Sequence, residues 1–549
     1  MAKQRSIGQY LLDQLHRRGV RHIFGIPGDY VLSFYDLIEK STITHVGTTR
    51  EDAAGFAADA YARVNGIGCV CVTYCVGGLN ITNPVAGAYA EKSPVVAISG
   101  APGLRERERN PLLHHRVRDF ATQKEIFEKI TVASAVLDDP HTAYHEIDRV
   151  LHALERYRRP VYFEIPRDTV ELSRRHVRRR EAAIPVADAA TLAEAVAEAV
   201  EMINASKRPV IIAGVEVHRF GLQDSLLKLV KKINVPIAAT LLGKSVISES
   251  HPQYLGIYEG AMGRQEVTDY VESADCVILL GTFMTDINLG IYTANLDQGR
   301  SISATSEKVT VRRHTYEDIR FRDFFAALLK AKLRRRGAPD IPEHRSIGDE
   351  PKPARDSKMT VKNLFREIDG FITKDMVIIS DIGDCLFGAV DLKIRKRTEF
   401  ISPAYYTSMG FGVPASVGAQ LANPSLRPLV VVGDGAFQMT GLELSTTVRL
   451  GLNPIVIVLN NAGYSTERHI AEGPYNDIGM WSYHKVPDLL DAGRGFEVET
   501  QGDLEWALKA ALDNDKTFSI INVHLDKLDK SPALARLAER LAARVKGKQ

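Results

Sequence analysis

The sequence predicts an α/β protein of three doubly wound domains with mainly parallel sheets, and three observations carry that prediction. Short apolar runs rich in Val and Ile, such as Arg427-Pro428-Leu429-Val430-Val431-Val432 and Pro454 to Leu459, alternate with helical segments along the chain, the pattern of parallel strands buried on both faces. A length of 549 residues exceeds what one core can organise and corresponds to about three domains. Two composition changes divide the chain: a basic run, Arg174-Arg175-His176-Val177-Arg178-Arg179-Arg180, and a polar stretch from Pro339 to Lys358 with four prolines.

The first block, residues 1–180, holds an apolar strand ending in the turn Ile26-Pro27-Gly28-Asp29. A second short strand ends at Thr48-Thr49-Arg50-Glu51, and Asp52 to Ala60 follows as a helix of small residues able to pack closely. The block closes on the strand Val161 to Pro166. The second block, residues 190–345, opens with an Ala-rich amphipathic helix at about Thr191 to Ile203 and continues through strands at Pro209 to Gly214 and Cys276 to Gly281. Ala213-Gly214-Val215-Glu216-Val217 lacks the G-x-G-x-x-G spacing of a dinucleotide site, so this block reads as structural. The third block, residues 358–549, repeats the length and strand-helix rhythm of the first and ends in a helix, Pro532 to Arg544.

Apolar residues at 45% and charged residues at 25% describe a soluble globular chain, and a net charge of +2 points to no polyanionic partner. The basic run reads as a solvated linker rather than a nucleic-acid contact. Five cysteines, an odd number without C-x-x-C pairing, read as buried thiols in a reducing compartment. No apolar signal core and no run of about 18 apolar residues appears, so the expectation is a cytoplasmic protein without membrane contact.

The most informative segment is Gly433-Asp434-Gly435, followed 27 residues after Asp434 by Asn461. The strand 427–432, a helix over 437–450 and the strand 454–459 form a βαβ unit, which places Asp434 and Asn461 at the carboxyl ends of neighbouring parallel strands. Two hard oxygen ligands converging there suit Mg²⁺, and the glycines let backbone N–H groups approach a diphosphate at a helix start. A lone GDG triplet is an ordinary tight turn; the second half of the pattern makes it a clamp.

This segment resembles the cofactor signature of thiamine-diphosphate (ThDP) enzymes. From about residue 5 to about residue 530 the chain resembles the pyruvate, indolepyruvate and phenylpyruvate decarboxylase family. That resemblance implies pyrimidine-binding, middle and diphosphate-binding domains in that order. It implies that Asp434, Asn461 and the Gly463 carbonyl hold Mg²⁺, with Gly433, Gly435 and Ala436 at the phosphates. Asp384 falls on the phosphate side where yeast-like pyruvate decarboxylases carry hydroxyl residues, and a carboxylate there repels a diphosphate unless it is turned toward a donor. Glu51, by itself either a helix-terminal carboxylate or a functional acid, matches the glutamate that hydrogen-bonds N1′ of the aminopyrimidine. Thr407-Ser408-Met409 matches the segment that supports the bent cofactor, with Met409 beneath it and the Thr407 carbonyl at the 4′-amino group. Asp29, His114, His115 and Glu467 match the proton-relay set of the decarboxylases. Adjacent histidines on a strand or helix diverge, so His114 and His115 do not read as a shared metal site.

The implied activity is non-oxidative decarboxylation of a 2-oxo acid to an aldehyde and CO2. Thr466 stands where pyruvate-preferring enzymes carry isoleucine. With Leu386, and with Ala538 and Ala542 of the last helix, it implies a pocket for long-chain, branched or aromatic substrates. A carboligase of the acetolactate synthase or benzaldehyde lyase type and a cofactor-binding scaffold without turnover are the competing readings. The family further implies a homodimer with shared active sites, assembled into a homotetramer.

Overall fold

A computed structural model describes residues 5–173, 188–342, 346–395 and 400–545, with side chains as far as Glu539. The basic run Arg174 to Arg180 lies outside the described residues. Three sheets are present, of six, seven and six strands.

The first sheet is parallel throughout. In chain order its strands are His22–Gly25, Thr44–Gly47, Gly68–Val72, Val95–Ala101, Ser134–Val136 and Val161–Pro166. In space they run second, first, third, fourth, sixth, fifth. The third sheet is also parallel and repeats this order, with Met376–Ser380, Phe400–Ile401, Arg427–Gly433, Ile455–Asn460, Arg494–Val498 and Ser519–His524. In both, the winding reverses between the first and third strands, and in such sheets ligands bind outside the carboxyl ends at that point. The middle sheet is parallel from Ser301–Ala304 through Cys276–Leu280, Pro209–Ala213 and Ile237–Ala239 to Tyr254–Ile257, and an antiparallel hairpin, Lys308–Val311 with His314–Glu317, extends one edge. The strands are apolar runs because helices cover both faces; Val70, Ile98, Val430 and Ile457 are fully buried.

The chain folds into two compact units. One holds the first sheet together with residues 410–426 and 440–452; the other holds the middle and third sheets. In the first unit the small-residue helix, Glu51–Asn65, lies against Gly412–Ala422 so closely that a Cβ on Gly418 would stand 1.9 Å from the Ala57 carbonyl oxygen. That contact explains the run of alanines. Within the second unit the buried Lys244 ammonium pairs with Glu249 at 2.9 Å and donates to the Val390 and Leu392 carbonyls at 3.1 and 2.7 Å, joining middle and third sheets.

The helix anticipated over 437–450 differs. It begins at Asp434, runs to Thr440, tightens to a 3-10 turn over Gly441–Glu443 and resumes as Leu444–Arg449. Gly441 supplies no side chain to stabilise a continuous helix at the break. All five cysteines are buried and free. Among the described residues no helix is long and apolar enough to cross a membrane.

Candidate active site

At the carboxyl end of the strand Arg427–Gly433, Asp434 is 1% exposed and both its oxygens are fixed by backbone donors. Oδ1 accepts the Gly435 N–H at 2.7 Å; Oδ2 accepts the N–H groups of Asn461 and Gly463 at 3.1 and 3.2 Å. Burial pushes its carboxyl up to about 6, against the pull of those donors. The receiving loop is sharply turned. Ala462 has φ +60° and Gly463 φ +150°, and a Cβ on Gly463 would stand 2.0 Å from the Asn476 carbonyl oxygen. Asn461 Oδ1 is buried and has no hydrogen-bond partner. A buried carboxylate beside an orphaned amide oxygen is a donor set short of one hard cation, so these residues fit Mg²⁺. Gly435 is needed for another reason as well: a Cβ there would meet the Tyr464 ring at 2.6 Å.

These residues border a cavity of about 310 Å³ within the second unit. Of the anticipated cofactor residues, Thr407, Met409, Gly433, Asp434, Gly435, Ala436 and Asn461 line it, and Ser408 does not. Thr407 has φ +56°, so the supporting segment turns sharply there. Glu467, on the short helix Ser465–Ile470, also borders the cavity, next to Thr466, whose buried hydroxyl has no partner.

Asp384 lines the same cavity, but its carboxylate is turned onto a donor. Both oxygens accept the Ser531 N–H, at 2.9 and 3.1 Å, and burial pushes the group up to about 6. Ser531 Oγ in turn accepts the Leu534 N–H at 3.1 Å, capping the last helix, Pro532–Val545. The helix has Leu534 where a capping box would place Glu or Gln, and Asp384 supplies that acceptor from elsewhere in the chain. From this helix Leu537 lines the cavity, whereas Ala538 is half-buried and is not part of the lining. Each helical residue turns the side chain by about 100°, so a register error of one residue replaces one lining position by another. Ala542 lies outside the described side chains. Leu386 lines the cavity.

The remaining anticipated residues lie in the first unit. Glu51 is the first residue of its helix, yet Asp52 bonds the helix-start backbone, accepting the Ala53 N–H at 2.9 Å. Glu51 Oε2 instead accepts the Asn80 amide N–H at 2.7 Å, away from the helix-start backbone. Asp29 follows the strand His22–Gly25 in its loop, and its Oδ2 lies 2.8 Å from His114 Nε2. His115 has φ +66°, which breaks strand or helix geometry and brings both rings to one side, centroids 4.8 Å apart. The divergence expected of neighbouring histidines therefore does not occur.

Sequence reasoning missed the supports of these groups. Tyr30 stacks on His114 at 4.7 Å, with its hydroxyl 3.3 Å from Nδ1, and Arg167 stands 3.8 Å from the Asp29 carboxylate. Arg468, itself buried, donates to the Ala462 carbonyl at 3.1 Å and to Asp477 at 2.5 Å, bracing the Asn461–Gly463 turn. The Tyr30 and Arg167 partners are distant in sequence, and the Arg468 partners, six and nine residues away, sit in irregular loop that no helical or strand spacing marks.

Comparison with family models matches residues 5–125 to the thiamine pyrophosphate enzyme N-terminal TPP binding domain, residues 196–331 to the central domain, and residues 381–523 to the C-terminal TPP binding domain. Fold, clamp and domain order together define a thiamine-pyrophosphate enzyme. The chain is similar to the indole-3-pyruvate decarboxylase of Azospirillum brasilense, 38% identical over 543 residues that cover 97% of this chain and 98% of that protein. It is also similar to the alpha-keto-acid decarboxylases of Mycobacterium leprae, 33% identical over 97% of this chain and 95% of that protein, and of Mycolicibacterium paratuberculosis, 34% identical over 97% and 96%. The chain belongs to the ThDP-dependent 2-oxo-acid decarboxylase family.

Proposed function

We propose that this enzyme removes CO2 from aromatic or long-chain 2-oxo acids, releasing the aldehyde, with Mg²⁺ tying the cofactor diphosphate to Asp434, Asn461 and the Gly463 carbonyl. The observation that carries the metal is the orphaned Asn461 Oδ1 beside the buried Asp434 carboxylate.

Bound thiamine diphosphate supplies the electron sink for the pair of electrons left by departing CO2. Glu51 would hold a proton at the pyrimidine ring nitrogen when the cofactor is bound, with the Asn80 amide fixing Oε2 at 2.7 Å. Asp29 and His114, in contact at 2.8 Å with His115 beside them, would deliver the proton that replaces CO2 on the reacting carbon. Glu467 stands against the substrate carboxylate. Met409, Leu386 and Leu537 keep water from the reacting carbon, and low polarity assists a step in which charge is dispersed.

The substrate preference is supported by the room beside Thr466 and by the name of the Azospirillum relative. Our reading of the oligomer is a homodimer in which Glu51, Asp29, His114 and His115 of one copy serve the Asp434 cavity of the other, paired into a homotetramer. Asp384 we read as the anchor of the last helix rather than a phosphate ligand. A coupled aldehyde assay across pyruvate, 2-oxoisovalerate, phenylpyruvate and indolepyruvate tests the assignment. The expected result is a higher kcat/KM for the aromatic acids; an enzyme fastest on pyruvate would overturn the preference.

A further inference from the structure

The loop that delivers Glu51 is held from outside its own helix. The helix Glu51–Asn65 starts after Arg50, whose side chain makes no capping bond and reaches Asp52 at 3.1 Å instead, while the Thr48 hydroxyl donates to the Arg50 carbonyl at 2.8 Å. The external support comes from residues 440–452, which belong to the same compact unit. Glu443 is wholly buried. Its Oε2 accepts both the Thr49 N–H at 3.1 Å and the Thr49 hydroxyl at 2.5 Å, while Oε1 accepts the Thr446 hydroxyl. Six residues further on, Arg449 donates to the Gly47 carbonyl, so the loop is pinned at 47 and 49.

We propose that Glu443 is a positioning residue for Glu51, fixing through Thr49 the direction in which Glu51 leaves the strand. The inference rests on the reading of Glu51 as the acid at the pyrimidine nitrogen. A carboxylate suits this place because it is acceptor-only: one oxygen takes two donors from Thr49 while the other stays occupied by Thr446. A glutamine would turn an NH2 group toward one of those donor sets. Packing alone does not call for the charge, since burying a carboxylate among neutral donors costs free energy that an apolar residue would not. A catalytic group misplaced by about 1 Å can lose on the order of a hundredfold in rate, so a loop pin of this kind bears directly on turnover.

The test compares Glu443→Gln with wild type and with Glu51→Gln in the full-length protein. In the cofactor-free protein, hydrogen–deuterium exchange of the peptide spanning residues 47–52 should rise in Glu443→Gln, while peptides of the third sheet keep wild-type uptake. In the ThDP–Mg²⁺ enzyme, C2-proton exchange followed by NMR should slow by about tenfold or more, with ThDP affinity close to wild type. The double variant Thr49→Val/Glu443→Gln should be no slower than the worse single variant, because both remove one contact. If Glu443→Gln fails to fold, Thr49→Val alone carries the test, with slower C2 exchange at unchanged ThDP affinity. Wild-type C2 exchange in the folded variant beside a slow Glu51→Gln overturns the positioning role. A parallel fall in stability, affinity and exchange overturns it too, as a merely structural role. Wild-type exchange in Glu51→Gln itself removes the underlying reading, and the inference with it.

Discussion

The first and third sheets share one strand order and carry different chemistry on equivalent strand ends. After the first strand stands Asp29 in one sheet and Asp384 with Leu386 in the other; after the second, Glu51 in one and Thr407 to Met409 in the other. After the fourth come His114 and His115 in one, and Asn461 to Glu467 in the other. Environment separates the two sets. Asp434 is 1% exposed and locked by three backbone N–H groups, whereas the Asp29 and His114 side chains are 40% and 60% exposed in the single chain and bonded to each other. A fixed, buried anion is suited to holding a cation, and a hydrogen-bonded Asp–His pair to moving protons. In the proposed reading, one topology provides two half-sites with separate tasks.

The largest expected effect breaks the buried half. Asp434→Ala should abolish retention of ThDP through gel filtration in Mg²⁺, and with it activity; a variant that keeps both would remove the clamp from the account. Glu51→Gln strikes the other half. ThDP should stay bound, while C2-proton exchange slows by about 10²–10⁴, the range of a lost acid–base group; NMR of the bound cofactor measures it.

Asp384 and Asp29 follow equivalent strands, and the contrast between them sharpens with pH. The folded Asp384 carboxyl is pushed up to about 6 from an ordinary 3.8. The folded state therefore binds this proton more tightly than the unfolded state. The contribution of Asp384 to stability is fully present below pH 4 and falls as pH rises to about 6, by roughly 3 kcal/mol in all. In the cofactor-free protein, the stability difference between wild type and Asp384→Asn, measured by denaturant unfolding, should fall from pH 4 to pH 7 by about that amount; a flat difference would show the carboxylate to be better solvated than its 4% exposure implies. Smaller still is the substrate effect. Thr466→Ile should shift kcat/KM about tenfold toward small 2-oxo acids, without loss of stability, because the hydroxyl it removes is buried and unpartnered.

Much of this was legible in the sequence, for identifiable reasons. Buried parallel strands are continuous apolar runs, and the clamp uses residues whose neighbours in sequence are its neighbours in space, so Asp434 and Asn461 could be placed on adjacent strand ends. Four features were not legible. The helix after Asp434 breaks at Gly441, where backbone freedom outweighs the apolar period. The Asp384 carboxylate finds its donor at Ser531, 147 residues away, and no local pattern predicts such a pair. The last helix presents Leu537 where Ala538 was expected, because a shift of one residue in register turns the lining face by about 100° of helix. His114 and His115 were expected to diverge, and a single positive φ at His115 reverses that.

The claim at the centre of the account is that the two half-sites serve one reaction from different copies of the chain. Mixing inactive Glu51→Gln and Asp434→Ala proteins under conditions of demonstrated subunit exchange tests it directly. Half of randomly assorted dimers are hybrids, and each hybrid would carry one site with both native halves, so aldehyde formation should return to about a quarter of the wild-type rate. No recovery after verified exchange would contradict the shared site.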